Sequence, residues 1–214
     1  ESDGINTSEL RLFDLRKNLS IIPQDAQCIE GSVRYNLDPL DQYDDEHIWD
    51  ALTMSRLDNH VRSMAVEQDM PDRPLECQIS ESGGNLSVGQ RQLLCLARVL
   101  LKTGKAENGT SEPSKILILD EATSSIDTET DNVIQQTIRT RCNHLTILTI
   151  AHRLNTIMDS DRILVLDKGR IAEFDTPERL LQSTDSLFYK LCVNGGYIPK
   201  PGDWAESEDN SAST

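Results

Sequence analysis

Two adjacent carboxylates, Asp120 and Glu121, follow directly on the apolar run Ile116-Leu117-Ile118-Leu119. A carboxylate at the end of a buried strand can hold Mg2+ through water while the ion bridges phosphates. A second carboxylate beside it can polarise an attacking water. Leu86-Ser87-Val88-Gly89-Gln90 offers a different device. Ser87 stands where a helical pattern begins, so unpaired N–H groups and the positive end of the helix dipole point outward there. Gly89 lets a ligand come close to the backbone. That arrangement suits a terminal phosphate, but a serine in this place can equally be a helix cap and nothing more. His152 comes after the run Thr146-Ile147-Leu148-Thr149-Ile150 and can donate to a phosphate oxygen or hold a catalytic water. Gln24 lies just past Leu19-Ser20-Ile21-Ile22-Pro23, where a carboxamide can reach metal-bound water. Each of these also has an inert alternative: solvated acids, a loop histidine, a loop glutamine.

The elements that must position these groups can be read from the pattern. Leu19 to Ile22 reads as a short strand stopped by Pro23. Asp44, Asp45 and Glu46 open a helix carrying Ile48, Trp49 and Leu52, and a second helix spans Leu57 to Met64. Pro71 to Gly84 is a loop. Ser87 starts a strong helix whose Leu93, Leu94, Leu96, Ala97, Leu100 and Leu101 fall broadly on one side. The unalternating runs 116–119 and 146–150 predict strands buried on both faces, as in a parallel sheet. Asp127 to Ile138 is helical. Ile163 to Phe174 reads as a hairpin, and Thr176-Pro177-Glu178 as a cap, first-position proline and first-turn acid of another helix. Strands alternating with helices predict an α/β sheet with helices on its faces, and ligands in such sheets sit beyond the carboxyl ends of the strands. Gln24, Asp120-Glu121 and His152 all follow strands.

The bulk composition excludes some partners. A net charge of −15 over 214 residues argues against sequence-independent nucleic-acid binding, which needs phosphates neutralised by Lys and Arg. An acidic chain can still hold a phosphate locally through backbone N–H groups. The five cysteines form no C-x-x-C pair, so a reduced, metal-free set is expected. No apolar run approaches the roughly 20 residues of a membrane span. The sequence opens at Glu1 rather than methionine and reads as a piece of something longer.

Taken in order along the chain, these groups resemble one family. Ile22-Pro23-Gln24-Asp25 resembles the Q-loop of ABC-type ATPase domains, and Leu86 to Gln90 the signature motif. Ile116 to Glu121 resembles Walker B, Ser124-Ser125-Ile126-Asp127 the D-loop, and Ala151-His152-Arg153 the switch histidine. The segments 31–39, 86–98 and 163–174 are similar to the second nucleotide-binding domain of subfamily C (multidrug-resistance-associated) exporters, and the polar insertion before Walker B to fungal members. The implied fold is α/β: a partial ABC-type P-loop ATPase core with an α-helical subdomain. Residues 1–24 and 116–200 would form the RecA-like core, 25–101 the helical subdomain with Q-loop and signature, 102–115 a flexible insertion, and 201–214 a disordered acidic tail.

The resemblance also implies roles. Glu121 would be the catalytic base, Asp120 the Mg2+ partner through water, and His152 the γ-phosphate sensor. Gln24 would link the metal to the transmembrane helices. Ser87, Gly89 and Gln90 would cover ATP bound to a second nucleotide-binding domain, arranged head to tail, and Asp127 would contact that domain. ATP and Mg2+ are the implied cofactors. The transmembrane domains of a parent exporter are the implied partners, at the cytosolic face of a plasma or vacuolar membrane. One departure stands out: no G-x-x-x-x-G-K-[ST] phosphate loop occurs in the 214 residues. That loop, and the first strands of the sheet, are expected upstream of Glu1. The isolated chain is then expected to leave buried faces uncovered, to be poorly stable, and to hydrolyse no ATP. A non-catalytic ABC fragment with an interaction role is the competing reading. A soluble ABC ATPase of DNA repair or translation fits the charge poorly.

Overall fold

Short β-branched and leucine runs, cut by proline and polar residues, leave strands too brief to stand alone, and all but one adjacent pair find their partners far along the chain. The computed structural model describes residues 8, 10–103, 115–121, 126–151, 154 and 157–198. The chain divides into two compact units, Glu1–Ile150 and Ala151–Thr214. The first contains α1 (Leu12–Lys17), β1 (Leu19–Ile22), β2 (Gly31–Ser32), α2 (Val33–Leu37), α3 (Asp45–Met54), α4 (Asp58–Glu67), β3 (Gln78–Ile79), α5 (Val88–Thr103), β4 (Ile116–Asp120), α6 (Thr128–Arg141) and β5 (Thr146–Ile150). The second contains β6 (Ile163–Asp167), β7 (Arg170–Asp175), α7 (Pro177–Gln182) and α8 (Leu187–Asn194).

The sheet of the first unit is parallel, in the order β1-β4-β5. Ile22 lies opposite Leu119, and Asp120 opposite Ile150, so the three strands end along one edge. Ile22, Leu117 and Leu119 are buried in the same core as Leu94 and Leu96 of α5 and Ile134 and Ile138 of α6. The opposite face differs from the expectation of burial on both sides. Ile21 is 53% exposed, Leu148 56% and Ile150 51%. Helices cover one face of this three-stranded sheet, while the other presents aliphatic side chains of the kind a parallel sheet normally encloses.

Helix α5 runs through the middle of the unit. Leu94, Cys95, Leu96, Ala97, Val99, Leu100 and Leu101 are all buried, and the helix packs on β1, α3 and α6. Asp44 caps α3, accepting from His47 N at 2.9 Å. The Arg62 guanidinium sits 4.1 Å from the Trp49 ring centre, tying α4 to α3. The stretch 71–84, expected as loop, holds two 3-10 turns and the strand β3, which pairs antiparallel with β2. Arg98 of α5 fastens the segment after β1: its Nε donates to Asn36 O at 2.7 Å and its guanidinium to Gln27 O at 2.7 Å. All five cysteines are buried and free. Burial pushes the Cys77 and Cys142 thiols up to about 11.

In the second unit β6 and β7 form the expected hairpin, with Lys168 (φ 48°) and Gly169 (φ 76°) as the two turn residues. Two left-handed residues in succession give the turn whose twist matches the strands it joins. Thr176 caps α7, with Pro177 in its first turn. Ile163, Val165, Leu180, Phe188 and Cys192 form a small core. Glu173 of β7 closes the start of α8: it accepts from Leu187 N at 2.7 Å, Phe188 N at 3.1 Å and Ser186 Oγ at 3.0 Å. Partial burial raises its carboxyl, but those donors together outweigh it and hold the group below the usual carboxylate range. A depressed folded value contributes stability that is complete above the ordinary carboxylate range and is lost as pH falls through the folded value. Glu173→Gln is therefore expected to destabilise the unit by about 1 kcal/mol near neutral pH, with the gap from wild type closing in acid. Urea midpoints of the two proteins between neutral and acid pH check this, and a gap independent of pH would contradict it.

Candidate nucleotide site

The parallel register decides which groups meet. Because β1 and β4 run alongside each other and stop together, Gln24, two residues past β1, shares an edge of the sheet with Asp120 and Glu121. The Gln24 and Asp120 side chains are exposed and Glu121 is half-buried. The Glu121 backbone is left-handed (φ 47°), and its N–H donates to Ile150 O at 3.0 Å. A bulky residue held there costs about 1–2 kcal/mol, and strain of this kind persists where surrounding structure enforces it. Here the bond to β5 enforces it at the second residue of the acid pair.

Among the described residues the edge offers oxygen donors from the Asp120 and Glu121 carboxylates and the Gln24 carboxamide. Among the described residues no group of three or more His, Cys, Asp or Glu side chains could hold a metal by itself. That set fits Mg2+, which keeps most of its water and needs one or two carboxylates plus phosphate oxygens, better than a metal requiring a full protein cage.

Ser87 and Gln90 form a reciprocal cap at the start of α5. Ser87 Oγ accepts from Gln90 N at 3.1 Å, and Gln90 Oε1 accepts from Ser87 N at 2.8 Å. Ser87 is exposed, and its hydroxyl proton has no acceptor among the described residues. The capping role and an outward-facing hydroxyl thus coexist. The Gln90 side chain turns inward, its Nε2 lying 3.2 Å from His60 Nδ1 of α4. Burial holds His60 below its ordinary value, partly countered by Glu67. Gly89 faces the start of α6. A Cβ built there would lie 3.2 Å from Thr130 Oγ1 and 3.5 Å from Asp127 Oδ2. Asp127 caps α6, accepting from Thr130 N at 2.9 Å and Thr130 Oγ1 at 2.8 Å. The Thr130 N–H is the main reason its carboxyl lies below the usual range. The D-loop-like aspartate and the signature-like glycine are therefore packed neighbours within one unit. His152 lies outside the described residues, as do Ser124 and Ser125.

Three residues that sequence reading passed over complete the arrangement: His60 behind Gln90, Thr130 against Gly89, and Gln92. Gln92 is buried on α5, and its Nε2 donates to Pro23 O at 3.0 Å and Gln24 O at 2.7 Å. The only sequence hint was a polar residue among the leucines of an apolar helix.

A parallel sheet carrying an acid pair at its edge, with a capped helix start presenting an exposed serine, is an arrangement suited to phosphate and a hard cation. The sequence profile of the ABC transporter family matches residues 2–124, more than half of the chain, and the chain belongs to that family. Among curated relatives it is 57% identical over 196 residues to the "Metal resistance protein YCF1" of Saccharomyces cerevisiae, covering 92% of this chain and 12% of that protein. It is 51% identical over 189 residues to "ABC transporter C family member 6" of Arabidopsis thaliana, covering 88% of this chain and 12% of that protein. Among solved structures, a bacterial Atm1-family ABC exporter with ATP bound aligns at a TM-score of 0.74 and 32% identity, over 91% of this chain and 31% of that one. The chain thus spans about an eighth of the curated relatives it matches.

The cap geometry has a direct consequence. Ser87→Ala removes the acceptor for Gln90 N and is expected to cost about 1 kcal/mol, with faster amide exchange confined to the first turn of α5. Exchange unchanged at Gln90 would show that the cap does not hold in solution.

Proposed function

We propose that this chain is part of the ATP-hydrolysing domain of a subfamily C exporter, probing one nucleotide with its sheet edge and covering another with the start of α5. The observation that carries the reading is the shared edge of Gln24, Asp120 and Glu121, with an exposed, capped serine on the helix that packs behind them. In this reading Glu121 is the base that takes a proton from the attacking water. Asp120 and Gln24 hold metal-bound water at the edge, and His152 senses the terminal phosphate. Mg2+, when bound with ATP, supplies charge neutralisation for the phosphates. Ser87 donates a hydrogen bond from its hydroxyl to a phosphate oxygen on a second nucleotide-binding domain, with the backbone of Gly89 beside it, while the side of Gly89 where a Cβ would stand is taken by Thr130 and Asp127. Gln90 supports this face by holding Ser87 N rather than by direct reach. Asp127, packed against Gly89, lies where contact with the second domain would be felt at both helix starts.

The nucleotide's own phosphate loop would come from another part of a longer protein, since the 214 residues contain none. The exposed aliphatic face of the sheet supports the same idea, because it is a surface that a completed domain would cover. Transmembrane domains would be further partners, placing this chain at the cytosolic face of a plasma or vacuolar membrane. Among the described residues no helix is long and apolar enough to cross a membrane. A second reading, an inactive fragment with at most an interaction role, is favoured by the same missing loop.

Two measurements separate these readings. The full-length product of the gene carrying this chain should hydrolyse ATP, and Glu121→Gln should lower kcat by about a hundredfold or more with little change in ATP binding. Residues 1–214 alone should show no turnover. Wild-type kcat in the Glu121→Gln protein sinks the assignment of the base, and Glu121-dependent turnover by residues 1–214 sinks the need for a separate phosphate loop. No turnover by the full-length protein favours the inactive fragment.

A further inference from the structure

We propose that Gln92 is a positioning residue for Gln24: from inside α5 it fixes the two peptide groups that flank Gln24, and so sets where the Gln24 carboxamide can reach. The proposal rests on the reading of Gln24 as a partner of metal-bound water. Gln92 is only 1% exposed, and both protons of its amide are used, on Pro23 O at 3.0 Å and Gln24 O at 2.7 Å. These carbonyls belong to the peptide before Gln24 and the peptide after it. Pinning both planes fixes φ and ψ at Gln24 while its own side chain stays exposed.

The rest of the loop is clipped in the same manner. Pro23 has a fixed φ and confines Ile22 to the extended region, so the chain can leave β1 in one direction only. At the far end, Arg98, also on α5, donates to Gln27 O at 2.7 Å.

Packing alone gives no reason for an amide at position 92. Its Oε1 is buried with no hydrogen-bond partner among the described residues, which carries a desolvation penalty. Pro23 is only half-buried and Gln24 exposed, so their carbonyls could turn to water instead. A methionine would fill the same space with no orphaned acceptor. What the glutamine adds is a fixed link between the loop and the helix that Ser87 caps.

The test uses the full-length product of the gene carrying this chain, as wild type, Gln92→Met and Gln24→Ala. Without nucleotide or metal, Gln92→Met should exchange its amides faster at residues 24–27 and nowhere else. In turnover assays it should raise the Mg2+ concentration for half-maximal ATP hydrolysis by about tenfold, the lower end for losing a group that orients a metal partner. KM for ATP at saturating Mg2+ and the thermal midpoint should stay near wild type. A purely structural Gln92 would lower the thermal midpoint with an unchanged Mg2+ requirement and unchanged exchange at 24–27, and that result overturns the proposal. If Gln24→Ala raises the Mg2+ requirement and Gln92→Met does not, the proposal alone falls. If Gln24→Ala leaves it unchanged, the reading of Gln24 falls and takes the proposal with it. Should Gln92→Met not fold, Gln92→Leu removes the donor with another apolar side chain and is read in the same way.

Discussion

The structure of the first unit depends on one helix that is apolar enough to be enclosed and polar at a few chosen points. Most of α5 is buried, from Gln92 to Leu101, and it packs on β1, α3 and α6. Enclosure of such a helix is strongly favourable, at about 25 cal/mol per Å2 of apolar surface removed from water. That gain offsets the burial of three hydrogen-bonding side chains along it. Gln90 meets α4, Gln92 the loop after β1, and Arg98 the segment from Gln27 to Asn36. Gln92 bonds backbone carbonyls alone, Arg98 bonds two carbonyls and the Asn36 side chain, and Gln90 meets the His60 ring, so the backbone of the loop after β1 is what this helix holds most firmly. The apolar face sets where the helix lies, and the polar points set what the helix holds in place.

Electrostatics at the sheet edge follow from backbone geometry more than from net charge. The chain carries −15 overall, Asp120 and Glu121 of the edge included. On the proposed reading a bare triphosphate would be repelled by such an edge, and a divalent cation between acid and phosphate would remove that repulsion. The start of α5 works in the opposite way, since its dipole and the Ser87 hydroxyl favour an anion without any lysine. On the proposed reading the two faces meet two different nucleotides, one by its metal and the other by its terminal oxygens.

The legible parts of this fold are those whose cause is local. Asp44 before Ile48, Trp49 and Leu52, Thr176 before Pro177, and Lys168-Gly169 between two apolar runs each act within a few residues, and each element forms where its pattern says. Strands 19–22, 116–120 and 146–150 were legible for the same reason. The rest depends on distant partners. β2 and β3 are two residues each and exist only because they pair. α1, with Leu12 and Phe13 exposed, shows no amphipathic stripe, and α8 owes its first turn to a carboxylate on β7. At the site, the acid pair and Ser87 could be singled out from their neighbours in sequence. Gln92, His60 and Thr130 could not, since their meaning lies in what they touch.

The pairing of β1 with β4 has a kinetic side. Parallel strands cannot be joined by a tight turn, and here everything from Pro23 to Lys115 must be drawn into a loop before the first ladder bond can form. Contacts so remote are slow to find, because the entropy of closing the loop is lost before any pairing is gained. The Gln92 bonds join residues 68 and 69 positions apart, and Arg98 reaches back 71 to Gln27. Once α5 has docked on β1, the remaining stretch to β4 is short, and the long search becomes a brief one. The clips that hold the loop in the finished molecule also divide the assembly of its sheet into two manageable closures.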